Sequence, residues 1–190
     1  MKTLTFKQMV VGLLTVLVCA CGGVTKEQSE VLSNEVESSH PQGQASVVDE
    51  VSDPNILQVA ISSESHSTLV AAVQAAQIEN VLVNTGPLTV FAPVNDAFDA
   101  LPAGTVENLL RPENKGDLAT ILTRHAAPGS YDIEALKREA SKGRRLYMAT
   151  GDYLEVTVER DNVFVGGAKI IATVPASNGI IHVVEKVILP

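Results

Sequence analysis

Hydrophobic residues recur at helical spacing through much of the chain between residues 53 and 143. Two segments, NILQVAISS and STLVAAVQAAQIENVLVN, are predicted as helices, and Ser65 or Ser67 is placed to cap the second. The helical stripe of that second segment contains Leu69, Val70, Val73 and Ala76. Further helices are predicted from Thr105 to Leu110, over PENKGDLATILTRHA, and over DIEALKREASKG, which ends at Gly143.

In the last third of the chain the pattern alternates, which is typical of β-strands. Five segments show it: RRLYMA, YLEVTVER, NVFVGG, KIIATVPA and IIHVVEKVIL. In YLEVTVER, one face contains Leu154, Val156 and Val158. RDNV and SNGI are predicted as tight turns, and the pair Asn178–Gly179 favours positive φ in a hairpin. Helices packed on an antiparallel sheet or sandwich, present in one copy, place the chain in the α+β class.

The segment LTVFAPVNDAFDALPAG joins a strand to a short helix. Pro93 should end the strand ladder because proline has no N–H to donate. Asn95 is predicted as the N-cap of the helix, with Asp96 and Asp99 favoured in its first turn. The residues expected to pack inward are Ala97, Phe98 and Leu101. This corner is therefore interpreted as structural rather than catalytic.

The first twenty residues have the composition of a targeting signal. Lys2 and Lys7 precede an apolar run that is too short to span a bilayer comfortably, and LVCACGG follows. LVCACGG resembles a bacterial lipobox, in which the signal (residues 1–20) is cut before the lipidated cysteine, here Cys21. The anchor predicts a cell-envelope location, in the outer membrane if the host has one, facing the periplasm or the exterior. An ordinary secretory signal is the alternative.

Residues 21–52 are predicted as the acylated cysteine followed by a flexible acidic tether, because they are polar and show no durable periodicity. Lys26 is the one Lys or Arg in the segment, against six acids: Glu27, Glu30, Glu35, Glu37, Asp49 and Glu50. The globular domain is expected to span residues 53–190.

Charge and composition exclude several functions. With 14 Lys and Arg against 22 Asp and Glu, the chain is an unfavourable partner for nucleic acid. Few aromatic residues and no Trp argue against stacking platforms for sugars. Both cysteines lie in the N-terminal signal region, so residues 53–190 contain no thiol for a disulfide, a metal or a nucleophile.

One basic cluster departs from this acidity: Lys137, Arg138, Lys142, Arg144 and Arg145. Such a cluster can contact an anionic glycan, lipid headgroups or an acidic partner. A solvated helix end that complements the helix dipole is the alternative.

His125 shares a helical stripe with Leu118, Ile121 and Leu122, whereas Arg124 falls off the stripe and should meet solvent. A histidine on such a stripe is expected to be a core residue with satisfied ring nitrogens, the alternative being a ligand or catalytic role. The histidines, His182 included, lack metal-binding spacing, and no nucleophile or cofactor motif is present. No metal, cofactor or catalysis is therefore predicted.

The order of motifs resembles the fasciclin domain. The resemblance rests on TVFAPVNDAFDALPAGTVENLL, on a helix ending in a histidine before APGSY, and on GGAKIIATVPASNGIIHVVEKVILP. Its two hallmark boxes, Thr89 to Phe98 and Asn178 to Pro190, contain Phe91, Pro93, Gly179 and His182. The resemblance implies a wedge of β-sandwich flanked by helices, in secreted or surface-anchored proteins that serve adhesion without established catalytic residues.

In animal members a Tyr-His pair has been linked to adhesion, and the corresponding dipeptide here is Arg124–His125, so integrin binding is not predicted. The expected function is a non-catalytic, surface-anchored module that binds an envelope or extracellular protein or an anionic glycan. The basic cluster, Arg124 and His125 are its candidate binding residues. A small-molecule binder or enzyme with a pocket near His125 is the alternative.

Overall fold

The computed structural model describes residues 53–84 and 86–190. Residues 1–20, Cys21 and the acidic tether, on which the anchoring predictions depend, lie outside the described residues. Seven α-helices are described in that part: α1 (Ile56–Ile61), α2 (Ser67–Ala76), α3 (Glu79–Asn84), α4 (Asn95–Asp99), α5 (Thr105–Leu109), α6 (Lys115–Arg124) and α7 (Ile133–Ser141). Short 3₁₀ turns, Glu64–His66 and Pro112–Asn114, precede α2 and α6.

The prediction of a single helix over residues 67–84 is wrong, because α2 ends at Ala76 and Gln77 forms its C-cap. Gln77 adopts a left-handed conformation (φ 55°), and the Ile78 N–H reaches back to the Val73 carbonyl at 3.3 Å. This is a Schellman-type end, which lets the chain turn without leaving the core. Ile78 and Leu82 then pack in the same hydrophobic cluster as α2. A continuous helix would have carried them past that core.

The strands are β1 (Leu88–Pro93), β2 (Ala126–Pro128), β3 (Leu146–Tyr147), β4 (Tyr153–Leu154), β5 (Val156–Glu159), β6 (Asn162–Val165), β7 (Ala168–Ala176) and β8 (Gly179–Val184). Six of them form one sheet in the order β2-β1-β8-β7-β6-β5, and β3 pairs with β4 separately. The α+β class is confirmed. The sheet is mixed rather than purely antiparallel, since β1 and β8 are parallel neighbours.

Two predicted strands are shorter or more divided than expected. YLEVTVER contains both β4 and β5, and Val158 is 42% exposed although Leu154 and Val156 are buried. The last strand ends at Val184, after which the chain leaves the sheet and buries Ile188. Periodicity cannot reveal these breaks because the apolar residues continue beyond them.

The two predicted hairpin turns are both present, but their backbone conformations differ. Arg160 and Asp161 have φ of 50° and 82° and connect β5 to β6. Between β7 and β8, the prediction of positive φ at Asn178–Gly179 is wrong, because neither residue has a positive φ. Gly179 is required for a close approach instead: a Cβ there would lie 1.8 Å from the Leu88 carbonyl oxygen.

The sheet centre is covered on both faces, which explains why every residue of β1 is buried. One cluster joins β1 and β8 to the helices, with Leu69, Val73, Leu118, Leu122 and Ile181 among its members. The other cluster, on the α7 side, includes Phe91, Leu136, Met148, Val165 and Val184.

Candidate interaction surface

Asn95 is not the cap of its own helix. Val94 occupies the N-cap position of α4. The Asn95 Oδ1 accepts the Thr68 N–H at 3.1 Å, and its Nδ2 donates to the Glu64 carbonyl at 2.9 Å. Asn95 therefore caps α2, a role predicted for Ser65 or Ser67. Asp96 lies exposed in the first turn of α4, while Phe98 is buried, as expected.

Asn178 ties the second hallmark box to the helices. Its Oδ1 accepts the N–H of Ile56, the first residue of α1, at 3.0 Å. Its Nδ2 donates to the Leu82 carbonyl of α3 at 2.6 Å. One hairpin side chain thus binds two helix ends, which is a structural task.

Thr89 and His182 bind the segment after β2 to the sheet centre. The fully buried Thr89 hydroxyl donates to the Gly129 carbonyl at 2.8 Å and accepts the Tyr131 N–H at 2.9 Å. His182 donates from Nε2 to the Tyr131 carbonyl at 2.7 Å and stacks on Phe91 with a centroid distance of 5.5 Å. Burial lowers the pKa of His182, so its ring is neutral at neutral pH.

His125 lies in the core between α6 and the C-terminal segment. Its Nδ1 donates to the Ile121 carbonyl at 2.8 Å, and its Nε2 accepts the Ile188 N–H at 2.9 Å. Desolvation, the main cause, lowers the pKa of His125 to about 4, with a smaller contribution from the Arg124 charge. Both ring nitrogens are satisfied, which is the core role that the helical stripe predicts.

Arg124 departs from its prediction, because its side chain is only 18% exposed. The guanidinium instead pairs with Asp152 at 2.5 Å, linking the end of α6 to the loop between β3 and β4. Among the described residues, no ion pair or side-chain hydrogen bond joins Arg124 or His125 to the basic cluster.

Three of the five clustered basic residues line one open groove. The groove, called here the basic groove, holds about 830 Å³ and lies between the C-terminal end of α7 and strand β5. Its lining consists of Lys137, Ala140, Ser141, Gly143, Arg144, Arg145, Glu155, Val156, Thr157 and Val158. Arg138 and Lys142 are exposed on α7 and at its C-cap, but outside this lining.

The three groove cations differ in their partners. Lys137 pairs with Glu134 at 3.2 Å, and Arg144 pairs with Glu139 at 3.6 Å. Arg145 has no carboxylate within ion-pair distance among the described residues, and lies 5.4 Å from the centre of the Tyr153 ring. An exposed cation without a carboxylate partner is available to an incoming anion.

An exposed pair of aromatic residues adjoins the groove and was missed from the sequence. Tyr147 and Tyr153 face each other across β3 and β4, 48% and 55% exposed, with ring centroids 5.3 Å apart. Overall scarcity of aromatic residues argued against such a platform. The local signal was the alternation of RRLYMA, in which buried Leu146 and Met148 direct Tyr147 outward.

Residues 53–84 and 86–190 contain no group of three or more His, Cys, Asp or Glu arranged to hold a metal ion. None of their helices is both long and apolar enough to cross a membrane.

Comparison with known proteins gives the relationship. The fasciclin domain family matches residues 64–190. Protein sll1483 of Synechocystis sp. is 51% identical over 136 residues, covering 71% of this chain and 73% of that protein. Transforming growth factor-beta-induced protein ig-h3 of Sus scrofa is 36% identical over 139 residues, covering 71% of this chain but only 19% of that protein.

A solved FAS1 domain pair from the insect cell adhesion molecule Fasciclin I has the same fold. It superposes with a TM-score of 0.52 at 18% sequence identity, over 66% of this chain and 46% of that one. The family match, the sequence relatives and the similarity of fold agree. The chain belongs to the fasciclin domain family.

Proposed function

We propose that this protein is a non-catalytic, adhesion-type module of the bacterial cell envelope that binds an anionic partner through the basic groove. The observation that carries the proposal is Arg145, which lines an open groove of about 830 Å³ and has no carboxylate partner among the described residues. Membership of the fasciclin domain family, whose fold this chain shares with the insect cell adhesion molecule Fasciclin I, supports the adhesive part. The partner is an envelope or extracellular protein or an anionic glycan.

Lipid on Cys21 would hold the domain at the membrane, and the acidic segment 22–52 would separate it from the surface. Many anchored copies with individually weak contacts gain avidity because each bound copy raises the effective concentration of the next. The net charge of −8 disfavours general attraction to anions, so a localised cationic groove gives selectivity.

The alternative, a small-molecule binder or enzyme near His125, has less support in the geometry. The two cavities that His125 lines hold about 20 Å³ and 30 Å³, whereas sites for small organic ligands hold roughly 300–1,000 Å³. Its ring is neutral and both nitrogens are engaged. A ligand would have to displace core packing to reach it.

The test uses the full chain, displayed on cells and purified. Cells with the wild-type protein should adhere to surfaces coated with an acidic polysaccharide such as alginate or with a Glu-rich peptide, and Cys21→Ala should abolish this adhesion. The double reversal Arg144→Glu/Arg145→Glu should also abolish it while the protein stays on the cell. Arg111→Glu, at an arginine 63% exposed outside the groove, is the control for reversal of a surface charge, and Arg145→Glu alone is its matched single reversal in the groove. Equal adhesion of the double reversal and this control would refute the proposal.

A further inference from the structure

One wall of the basic groove is a strand at the edge of the sheet. β5 pairs with β6 on one side, and its other side faces the groove, which Glu155, Val156, Thr157 and Val158 line. Edge strands carry unpaired backbone groups, and proteins commonly cover such edges. Here the side of β5 away from β6 opens into a groove instead.

The register shows which backbone groups of β5 point into the groove. The Gly166 N–H bonds to the Glu155 carbonyl at 2.9 Å, and Val156, Thr157 and Val158 lie opposite Val165, Phe164 and Val163. Because hydrogen-bonded and non-bonded pairs alternate in antiparallel strands, Thr157 continues the bonding to β6. Val156 and Val158 therefore direct their N–H and C=O groups outward. No described residue pairs with those two donors and two acceptors.

The other wall of the groove supplies positive charge. Arg144 and Arg145 follow the C-cap of α7, after Gly143, and line the same groove as β5. Glu155 is the one carboxylate of the lining and lies immediately before β5. An extended chain lying along Val156–Val158 would thus meet backbone partners on one side and cations on the other.

We propose that β5 is a docking strand: an extended acidic segment of a partner protein adds to it as a seventh strand, with its carboxylates directed at Arg144 and Arg145. The proposal deepens the function proposed above and rests on it. Main-chain bonds supply affinity in this mode of recognition, and alternate side chains supply specificity. A polysaccharide could use the cations and the exposed tyrosines, but it would leave the β5 backbone groups unpaired. The free strand edge favours a peptide.

The experiment measures binding of a fluorescent peptide, acetyl-TEVEVETE-amide, to the full chain by anisotropy. Two further peptides carry N-methyl groups on alternate residues, one on the odd and one on the even positions. In an added strand only one set of N–H groups faces β5, and the direction of that strand together with the face that carries its carboxylates fixes which set. We expect one methylated peptide to lose binding at least about tenfold, and the other to bind within about twofold of the parent.

Val158→Pro removes one outward N–H and leaves the bonds to β6 in place; Val158→Thr retains the N–H and serves as its control. Proline should weaken the peptide about tenfold, and threonine should leave its affinity within about twofold. Thermal unfolding verifies that both variants fold, and the methylated peptides test the same contact on the wild-type protein.

The two proposals fail differently. If both methylated peptides bind as tightly as the parent, or if alginate binds in an Arg145-dependent way while the peptide does not, strand addition is refuted and the anionic groove stands. If neither peptide nor alginate binds the wild-type protein, both proposals fall.

Discussion

Strands β8 and β5 belong to the same sheet but use their residues in opposite ways. In β8, four consecutive residues are buried, and His182 among them has both ring nitrogens hydrogen-bonded. In β5 only the first residue is buried, and the outer edge opens into the basic groove. The hallmark residues of the family hold β8 in place, whereas recognition is proposed at β5. The motif residues therefore maintain the fold, and the fold presents the exposed edge of β5.

The largest expected effect is at the β1–β8 contact. Gly179→Ala places a Cβ 1.8 Å from the Leu88 carbonyl oxygen, and two paired backbones cannot separate without breaking the parallel ladder. We expect the free energy of unfolding to fall by more than about 4 kcal/mol, or the protein not to fold.

The matched control is Gly116→Ala, in α6, where the added Cβ would meet nothing within 4 Å. Its free energy of unfolding should be unchanged or higher by up to about 1 kcal/mol. Chemical denaturation of both variants measures the difference. Equal stabilities would show that the strands are not locked by this approach.

The second prediction concerns acid. The pKa of His125 is about 4 in the folded protein and near 6.5 in the unfolded chain, so the unfolded state binds more protons between those values. Burial of the neutral His125 ring therefore contributes fully to the free energy of unfolding above pH 6.5. About 3 kcal/mol of that free energy is lost as the pH falls toward 4. The lowered pKa values of His66 and His182 act in the same direction.

Guanidinium unfolding at pH 7.5, 6, 5 and 4 measures this loss. His125→Gln is less stable at neutral pH but should lose less on acidification, because it removes one group that titrates. A variant with the same pH slope as the wild type would mean that His125 binds the same number of protons in the folded and unfolded states, so that folding does not lower its pKa.

Much of the fold could be predicted from residue patterns. Periodicity and local sequence motifs are enough to predict the α+β class, the hallmark boxes, the tight turns and the core position of His125. The parallel pairing of β1 with β8 could not, since it depends on which distant strands meet. Gln77 was missed for a related reason: the left-handed break is chosen because Ile78 and Leu82 must reach the shared core.

The site was less accessible to sequence reasoning. The basic cluster was found from charge alone, but its division between groove and helix surface depends on how α7 packs beside β5. Asn95 was assigned to the nearest helix, whereas its amide bonds to α2, twenty-seven residues away at Thr68. Side-chain polarity indicates that a bond is made, and only the fold identifies the partner.

The third prediction separates these two assignments of Asn95. Asn95→Ala should lower the free energy of unfolding by about 1–2 kcal/mol, because Thr68 loses its acceptor and the Glu64 carbonyl loses a donor. Hydrogen exchange should accelerate at the first turn of α2. Asp96→Ala, at an exposed first-turn residue of α4, should cost less than about 0.5 kcal/mol. Faster exchange confined to α4 would instead support an own-helix cap.

The smallest effect on stability is expected in the groove, where Arg145→Glu removes only an exposed contact with the Tyr153 ring. The free energy of unfolding should change by less than about 1 kcal/mol, similar to Arg111→Glu outside the groove. Binding to an anionic probe should nevertheless be lost in the first variant and retained in the second. Wild-type affinity should also fall as salt rises, because exposed charges are screened over about 10 Å at 0.1 M ionic strength. A stability loss in Arg145→Glu as large as that of Asn95→Ala would make this arginine a structural residue, and the contrast between β8 and β5 would disappear.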